Sequence, residues 1–185
     1  IYDGINKGIQ KATGDVISLI HSNDIFVDSK VISNIVNFFK NNPGFEIILS
    51  DLAFKKNFDD NKITRYYSAE NFKPWMLKIG YSPPHLSAFF RIGVFKKVGL
   101  YATNFKIAGD FDYFVKCFLI HKLQFCYLKK CLVYMSTGGT SGKNIFSYWT
   151  STKEINTSLK LNKIYSNIFL TLFRFPIKLI QFILR

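Results

Sequence analysis

The run Val16-Ile17-Ser18-Leu19-Ile20 lies between the turn residues Thr13-Gly14-Asp15 and the polar quartet His21-Ser22-Asn23-Asp24. It constrains the fold more than any other stretch of the chain. A short run of mostly β-branched apolar residues bounded by turn chemistry predicts a strand over Val16–Ile20. Its flanks predict helices. Upstream, Ile5 to Lys11 puts Ile5 and Ile9 on one face. Downstream, Asp28 or Ser29 can cap a helix over Ser29–Asn42, whose Val31, Ile32, Ile35, Val36 and Phe39 make an apolar stripe. A nearly all-apolar strand between two helices implies a sheet covered on both faces. Open α/β sheets hold their ligands at the carboxyl ends of strands, so the quartet His21–Asp24 marks a candidate site.

At 185 residues, 48% hydrophobic, 20% charged and with 20 Phe, the chain has the material for one globular core and is not a disordered segment. Its net charge of +13 implies anionic company: nucleic acid, an anionic membrane surface or a phosphorylated substrate. The basic residues are dispersed, and no helix-turn-helix, zinc-finger or RNP-type motif organises them, so no nucleic acid is expected as a partner. Cys117, Cys126 and Cys131 are odd in number and lack the spacing of a zinc site, which reads as reduced thiols of a cytosolic protein. The chain begins with Ile, inside what reads as a turn into a helix, and shows no signal peptide, so a preceding portion is expected to be missing.

Farther along, Phe45–Asp51 predicts a second apolar strand ending in Ser50 and Asp51. Asp59-Asp60-Asn61 then reads as a hairpin loop between alternating stretches. An aromatic helical segment, NFKPWMLKIGY, follows. Pro83-Pro84 fixes the backbone before His85, and Leu86–Arg91 reads as a strand. Asp110 and Asp112 fall at the mouth of an amphipathic helix carrying Phe111, Phe114, Val115 and Phe118. Carboxylates there are favoured by the helix dipole, so capping alone would account for them.

The order of these motifs resembles bacterial glycosyltransferase family 2. IYDGINKGIQKATGDVISLIHSND is similar to the family's GIYDAMNKGIxxATGDxIxFLNSDD, PPHLSAFFR to PxxHQATFFRR, IAGDFDYFVK to IAADYDLxLR, and GGTS to GGVS. The resemblance spans roughly Ile1 to Ser141. It implies an α/β GT-A-like fold, a mixed sheet flanked by helices and N-terminally truncated, to which the pattern of the last residues adds an amphipathic helical tail. Residues 1–150 would be the partial GT-A domain and 151–185 a membrane-associating tail.

By this resemblance the protein is an inverting glycosyltransferase. It would move a sugar from a nucleotide-diphosphate donor to a hydroxyl of a lipid-linked or polysaccharide acceptor in cell-surface glycan synthesis. The quartet then stands where the family has its DxD-type motif. Asp24 falls on the last acid and would hold a divalent cation, Mg²⁺ or Mn²⁺, on the donor diphosphate. Asn23 replaces an acid and His21 stands where another acid is frequent, so binding would be weak. Asp110 matches the acid that removes the acceptor proton, with Gly109 where the family often has Glu, and Asp112 follows as an orienting or capping acid. His85 and Arg91 would line the donor–acceptor cleft, and Asp3, Asn6 and Lys7 fall in the segment that approaches the donor. The alternative reading is a catalytically impaired GT-A remnant that binds a membrane or partner protein.

The tail from Ile164 to Arg185 is too interrupted by Arg174, Pro176 and Lys178 to predict a membrane span. Asn167, Thr171, Arg174, Lys178, Gln181 and Arg185 recur at alternating intervals of four and three, so a helix gathers them into one narrow stripe. Two expectations follow. The stripe's cations meet anionic headgroups on the cytoplasmic face of the bacterial membrane, or the stripe packs on the domain as part of a core helix. Pro176 is expected to kink or divide the helix.

Overall fold

The computed structural model describes residues 1–60, 62–137 and 145–183. In chain order the elements are α1 (Tyr2–Lys11), β1 (Val16–Ser18), β2 (Ile25–Phe26), α2 (Val31–Asn41), β3 (Ile47–Lys55) and β4 (Ile63–Tyr67). They continue with β5 (Ala88–Arg91), α3 (Ile92–Val98), α4 (Gly109–Val115), β6 (Phe125–Ser136), α5 (Ile145–Leu161), α6 (Ile168–Leu172) and α7 (Arg174–Ile183). The strands form one mixed sheet in the order β1-β5-β3-β6-β2, with β4 paired to the outer part of β3. β3 and β6 run parallel, and every other pairing is antiparallel.

The central strand β3 is apolar on both faces. Ile47 and Leu49 point into a core built with α1, α3, α4 and α5, and Ile48 and Leu52 into a smaller one with Val31, Ile35 and Phe39 of α2. Phe90 and Phe89 of β5 divide between the same two cores. The sheet is therefore covered on both sides, as the apolar strands implied. Ser50 and Ser87, fully buried, satisfy one another: each hydroxyl donates to the other's carbonyl, at 2.9 and 2.7 Å.

Several boundaries differ from expectation. β1 stops at Ser18, because Ile20 is exposed and the chain is already turning toward the Asp24 N–H, which donates to the His21 carbonyl. Asp51 does not end β3 but sits within it, buried, its carboxylate taking the Tyr66 and Tyr127 hydroxyls and the Ala69 N–H. NFKPWMLKIGY is reduced to a 3₁₀ helix over Pro74–Ile79, ended by Gly80 at φ +77°. The hairpin between β3 and β4 is present, but its predicted turn residue Asn61 lies outside the described residues. Cys117 is buried, Cys126 and Cys131 are half-buried, and all three are free thiols.

The tail folds back onto the domain. Pro176 occupies the first turn of α7, where its missing N–H is an orphan donor anyway, and the chain breaks between α6 and α7. The middle of the polar stripe faces inward, while Asn167 at its start is exposed and caps α6. Thr171 and Arg174 are 0% and 2% exposed, whereas Phe169 and Phe173 stand 75% and 59% exposed on the other side. The packing alternative thus describes the stripe, and the cations of Arg174 and Lys178 are turned away from any headgroup layer. Nothing is described of the Gln181 and Arg185 side chains. Position 150 falls inside α5, which is bonded to α4 through Ser158 and Asn162. Among the described residues no helix is long and apolar enough to cross a membrane.

Candidate active site

The N-terminus of α4 is held from several sides. Three backbone N–H groups in the turn before it, of Lys106, Ile107 and Ala108, donate to the Glu154 carboxylate of α5 at 2.8–2.9 Å. Across the turn, the Tyr2 hydroxyl of α1 donates to the Ile107 carbonyl at 2.6 Å and reaches Asp110 Oδ1 at 3.4 Å. Asp110 Oδ1 also accepts the Phe111 N–H at 2.8 Å, so both bonds engage one oxygen and leave Oδ2 for other partners. Burial and the neighbouring Asp110 charge push the Tyr2 phenol well above its usual range, which keeps it protonated, its one hydrogen on the shorter bond to Ile107.

Gly109 explains a departure in the sequence. A Cβ there would stand 2.6–2.8 Å from three carbons of the Tyr2 ring, so the position admits no side chain while Tyr2 holds Asp110.

Asp112 is used structurally. It is 2% exposed, accepts Ser158 Oγ at 2.8 Å and Asn162 Nδ2 at 2.9 Å, and pairs with Lys116 at 2.8 Å, locking α4 to α5.

His85 precedes β5, which runs antiparallel to β1, so it falls near the carboxyl end of β1, on the side of His21. Its Nε2 lies 2.8 Å from the Tyr101 hydroxyl, and its ring packs edge-on to Tyr101 and Phe114. Burial lowers its pKa; the Asp110 carboxylate opposes this and His21 adds to it, which puts all three within electrostatic reach.

In the quartet, Asp24 Oδ1 accepts the Ser136 N–H at 3.0 Å, and Oδ2 lies 3.8 Å from His21 Nδ1 while accepting no hydrogen bond. Asn23 is exposed. Among the described residues no three His, Cys, Asp or Glu gather in a metal-binding group. The donor set is one buried carboxylate oxygen and a nearby amide. That suits a hard cation only where phosphate and water supply the remaining ligands.

The other candidates lie elsewhere. Arg91 is at the far end of β5, opposite Val16, where its guanidinium donates to the Phe45 and Phe39 carbonyls and stacks on Phe39. It secures the end of α2 and does not join the cluster around Asp110. Asn6 is a two-way backbone clamp on Tyr101: it donates to the carbonyl at 2.8 Å and accepts from the N–H at 2.9 Å. Asp3 and Lys7 pair with each other at 2.8 Å on the exposed side of α1. The GGTS segment, Gly138 to Ser141, lies outside the described residues.

Sequence reasoning passed over Tyr2, Glu154 and Arg65 of β4, and it named Arg174 and Lys178 of α7 only as members of the tail's stripe. Glu154 had a signal, being the only carboxylate between Asp112 and the C-terminus. Tyr2 and Arg65 had none, because their neighbours come from distant segments. Arg65 stacks over the Phe54 and Tyr67 rings. Lys178 has its pKa pushed down to about 8 by burial and by Arg174 and Arg65, with Asp110 opposing.

No protein-family profile matches the chain. In sequence it is 22% identical over 119 residues to PGL/p-HBAD biosynthesis glycosyltransferases of Mycobacterium bovis and Mycobacterium tuberculosis. The match covers 64% of this chain and 43% of theirs. In structure it is similar to TarS of S. aureus (residues 1–349), with a TM-score of 0.56 at 12% identity, over 85% of this chain and 44% of that one. TarS in complex with UDP-GlcNAc gives the same TM-score over 83% and 45%. The chain therefore spans less than half the length of the relatives it matches. The mixed sheet with its flanking helices is a fold shared with a glycosyltransferase, and the sequence relatives of this chain are glycosyltransferases.

Proposed function

We propose that this protein is, or is part of, an inverting GT-A glycosyltransferase of family 2 type that takes a sugar from a nucleotide-diphosphate donor. The supporting observation is Asp110. It is one carboxylate at a helix N-terminus, flanked by Tyr2 and the Glu154-anchored turn, and its charge acts on His85. In this reading an acceptor hydroxyl transfers its proton to Asp110 Oδ2 as its oxygen bonds to the anomeric carbon. The bond from that carbon to the diphosphate oxygen breaks, and the nucleoside diphosphate leaves on the opposite side. Tyr2 fixes the carboxylate's orientation, and a water-poor surround of Phe90, Tyr101 and Phe114 around His85 excludes competing hydrolysis. A divalent cation on Asp24 would offset diphosphate charge when bound, with Asn23 beside it. UDP-GlcNAc, bound by TarS, is the first donor to try.

The acceptor in this reading is a lipid-linked or polysaccharide hydroxyl, and the protein works peripherally on the inner face of the cytoplasmic membrane. Supporting this, the outward side of the tail is apolar, with Tyr165, Phe169, Phe173 and Leu179 exposed. Incubation with an α-linked nucleotide sugar and a membrane extract, followed by NMR of the glycoside formed, tests the proposal. A β-linked product is expected, and an α-linked product or none from a panel of donors would overturn it.

A further inference from the structure

Buried cations are ordinarily paired with carboxylates, because desolvation otherwise disfavours the charge. α7 departs from this. Arg174 is 2% exposed, and its partners are neutral: Thr152 Oγ1 at 2.8 Å and Ser151 Oγ at 3.2 Å, while its Nε has no partner among the described residues. Lys178, one turn later on the same face, packs with α7 against β4, the strand of Arg65. Among the described residues no carboxylate forms an ion pair with Arg174 or Lys178. The tail cannot supply one, since Glu154 is the only acid after Asp112 and is bound to three backbone N–H groups. Arg174 is closely packed. Gly80, in its left-handed conformation, lets the chain approach so closely that a Cβ would meet Thr171 at 3.2 Å and Arg174 Cδ at 3.4 Å.

Like charges gathered together are stabilised by an anionic ligand, and guanidinium with ammonium is a donor set for phosphate oxygens. The position selects which phosphate. Asp24 is bonded to Ser136, beside Met135; Met135 pairs with Phe54, and Phe54 with Arg65. Asp24 and Arg65 therefore lie in one row of the sheet, three strand spacings or ~14 Å apart. Asp110 lies within electrostatic range of both His85 and Lys178.

We infer that Arg65, Arg174 and Lys178 form a phosphate subsite on the acceptor side of Asp110, which takes a phosphate ester carried by the acceptor. The inference rests on the transferase reading in placing donor and acceptor ends. Lys178 and Arg65, half-buried, make the contacts, and Arg174 adds its charge from behind.

The test is calorimetric titration of the protein with inorganic phosphate, farnesyl phosphate and UDP, repeated with Lys178→Met and Arg65→Gln. Both variants spare buried Arg174, and thermal melts confirm that they fold. Expected is a loss of phosphate and farnesyl phosphate affinity of tenfold or more in each variant, with UDP affinity changed less than twofold. Farnesyl phosphate binding at least tenfold tighter than phosphate marks a lipid-borne ester, and equal affinities mark a soluble or polymeric one. Undiminished phosphate binding in both variants overturns the subsite. Parallel loss of UDP overturns its acceptor-side placement and assigns the cations to the donor. UDP binding by the unaltered protein bears on the transferase reading alone, and the phosphate result decides whether the anion site exists.

Discussion

Replacing Gly109 by alanine tests whether the close approach of α1 to α4 is what holds Asp110. The added methyl would sit 2.6, 2.7 and 2.8 Å from Tyr2 Cε2, Cζ and Cδ2. The ring has little freedom to yield. It is 6% exposed, stacks on Tyr101 at 6.0 Å between centroids, and is tethered by its hydroxyl to the Ile107 carbonyl. Overpacking of this kind costs about 1–3 kcal/mol, and removing a glycine's backbone entropy from a helix offsets about 0.5–1 kcal/mol of that. The net expectation is a destabilisation of ~1–2 kcal/mol, or a fall in Tm of ~2–8 °C for a chain of this size. Urea denaturation of the wild type, Gly109→Ala, Tyr2→Leu and the double variant measures it. Because Tyr2→Leu removes the ring that the methyl strikes, the double variant should be more stable than the sum of the singles by about 1 kcal/mol or more. Additive effects, or a Gly109→Ala protein as stable as the wild type, would refute the claim that this contact is tight.

Three further expectations follow from the same geometry. Lys178 has its folded pKa pushed down to about 8, so between pH 8 and about 10.5 the unfolded chain binds the extra proton and stability rises with pH. Lys178→Met should flatten that rise and stabilise the protein below pH 8 by ~2–3 kcal/mol, and unchanged melts across the window would show the ammonium is not strained. Asp24→Ala should abolish any Mn²⁺ or Mg²⁺ dependence of donor binding, and Asn23→Asp should strengthen it by supplying the missing hard oxygen; a metal titration unaltered by Asn23→Asp would remove the quartet as a cation site. Because the tail turns its apolar side outward, Phe169→Glu with Phe173→Glu should release the protein from sedimenting liposomes, with neutral lipid retaining most of the binding; binding lost only when anionic lipid is omitted would return the contact to the cations.

What was legible in the sequence was what adjacent residues decide. The apolar runs of β1, β3 and β5 announced a sheet buried on both faces, and the spacing of Val31, Ile35 and Phe39 gave the inward side of α2. Of the tail's polar residues, Thr171, Arg174 and Lys178 are turned to the domain in part or whole while Asn167 is exposed, and that direction was not readable. Whether a narrow polar stripe faces solvent or the domain depends on what opposes it, here Gly80, Ser151 and Thr152. Asp110 was visible as a helix-start acid, whereas its supports came from positions 108 residues upstream and 44 downstream. His85 and Arg91 looked alike in sequence, six residues apart, yet an extended strand carries them to opposite ends of the sheet.

The central claim is that Asp110 is the base of a sugar transfer, and the most direct measurement pairs two quantities in Asp110→Asn: affinity for the nucleotide-sugar donor and rate of transfer to acceptor. The substitution keeps size and the hydrogen bond to Phe111 while removing the basic oxygen. The account predicts unchanged donor affinity with a rate lower by about two to four orders of magnitude. An Asn variant that transfers sugar at the wild-type rate would contradict it.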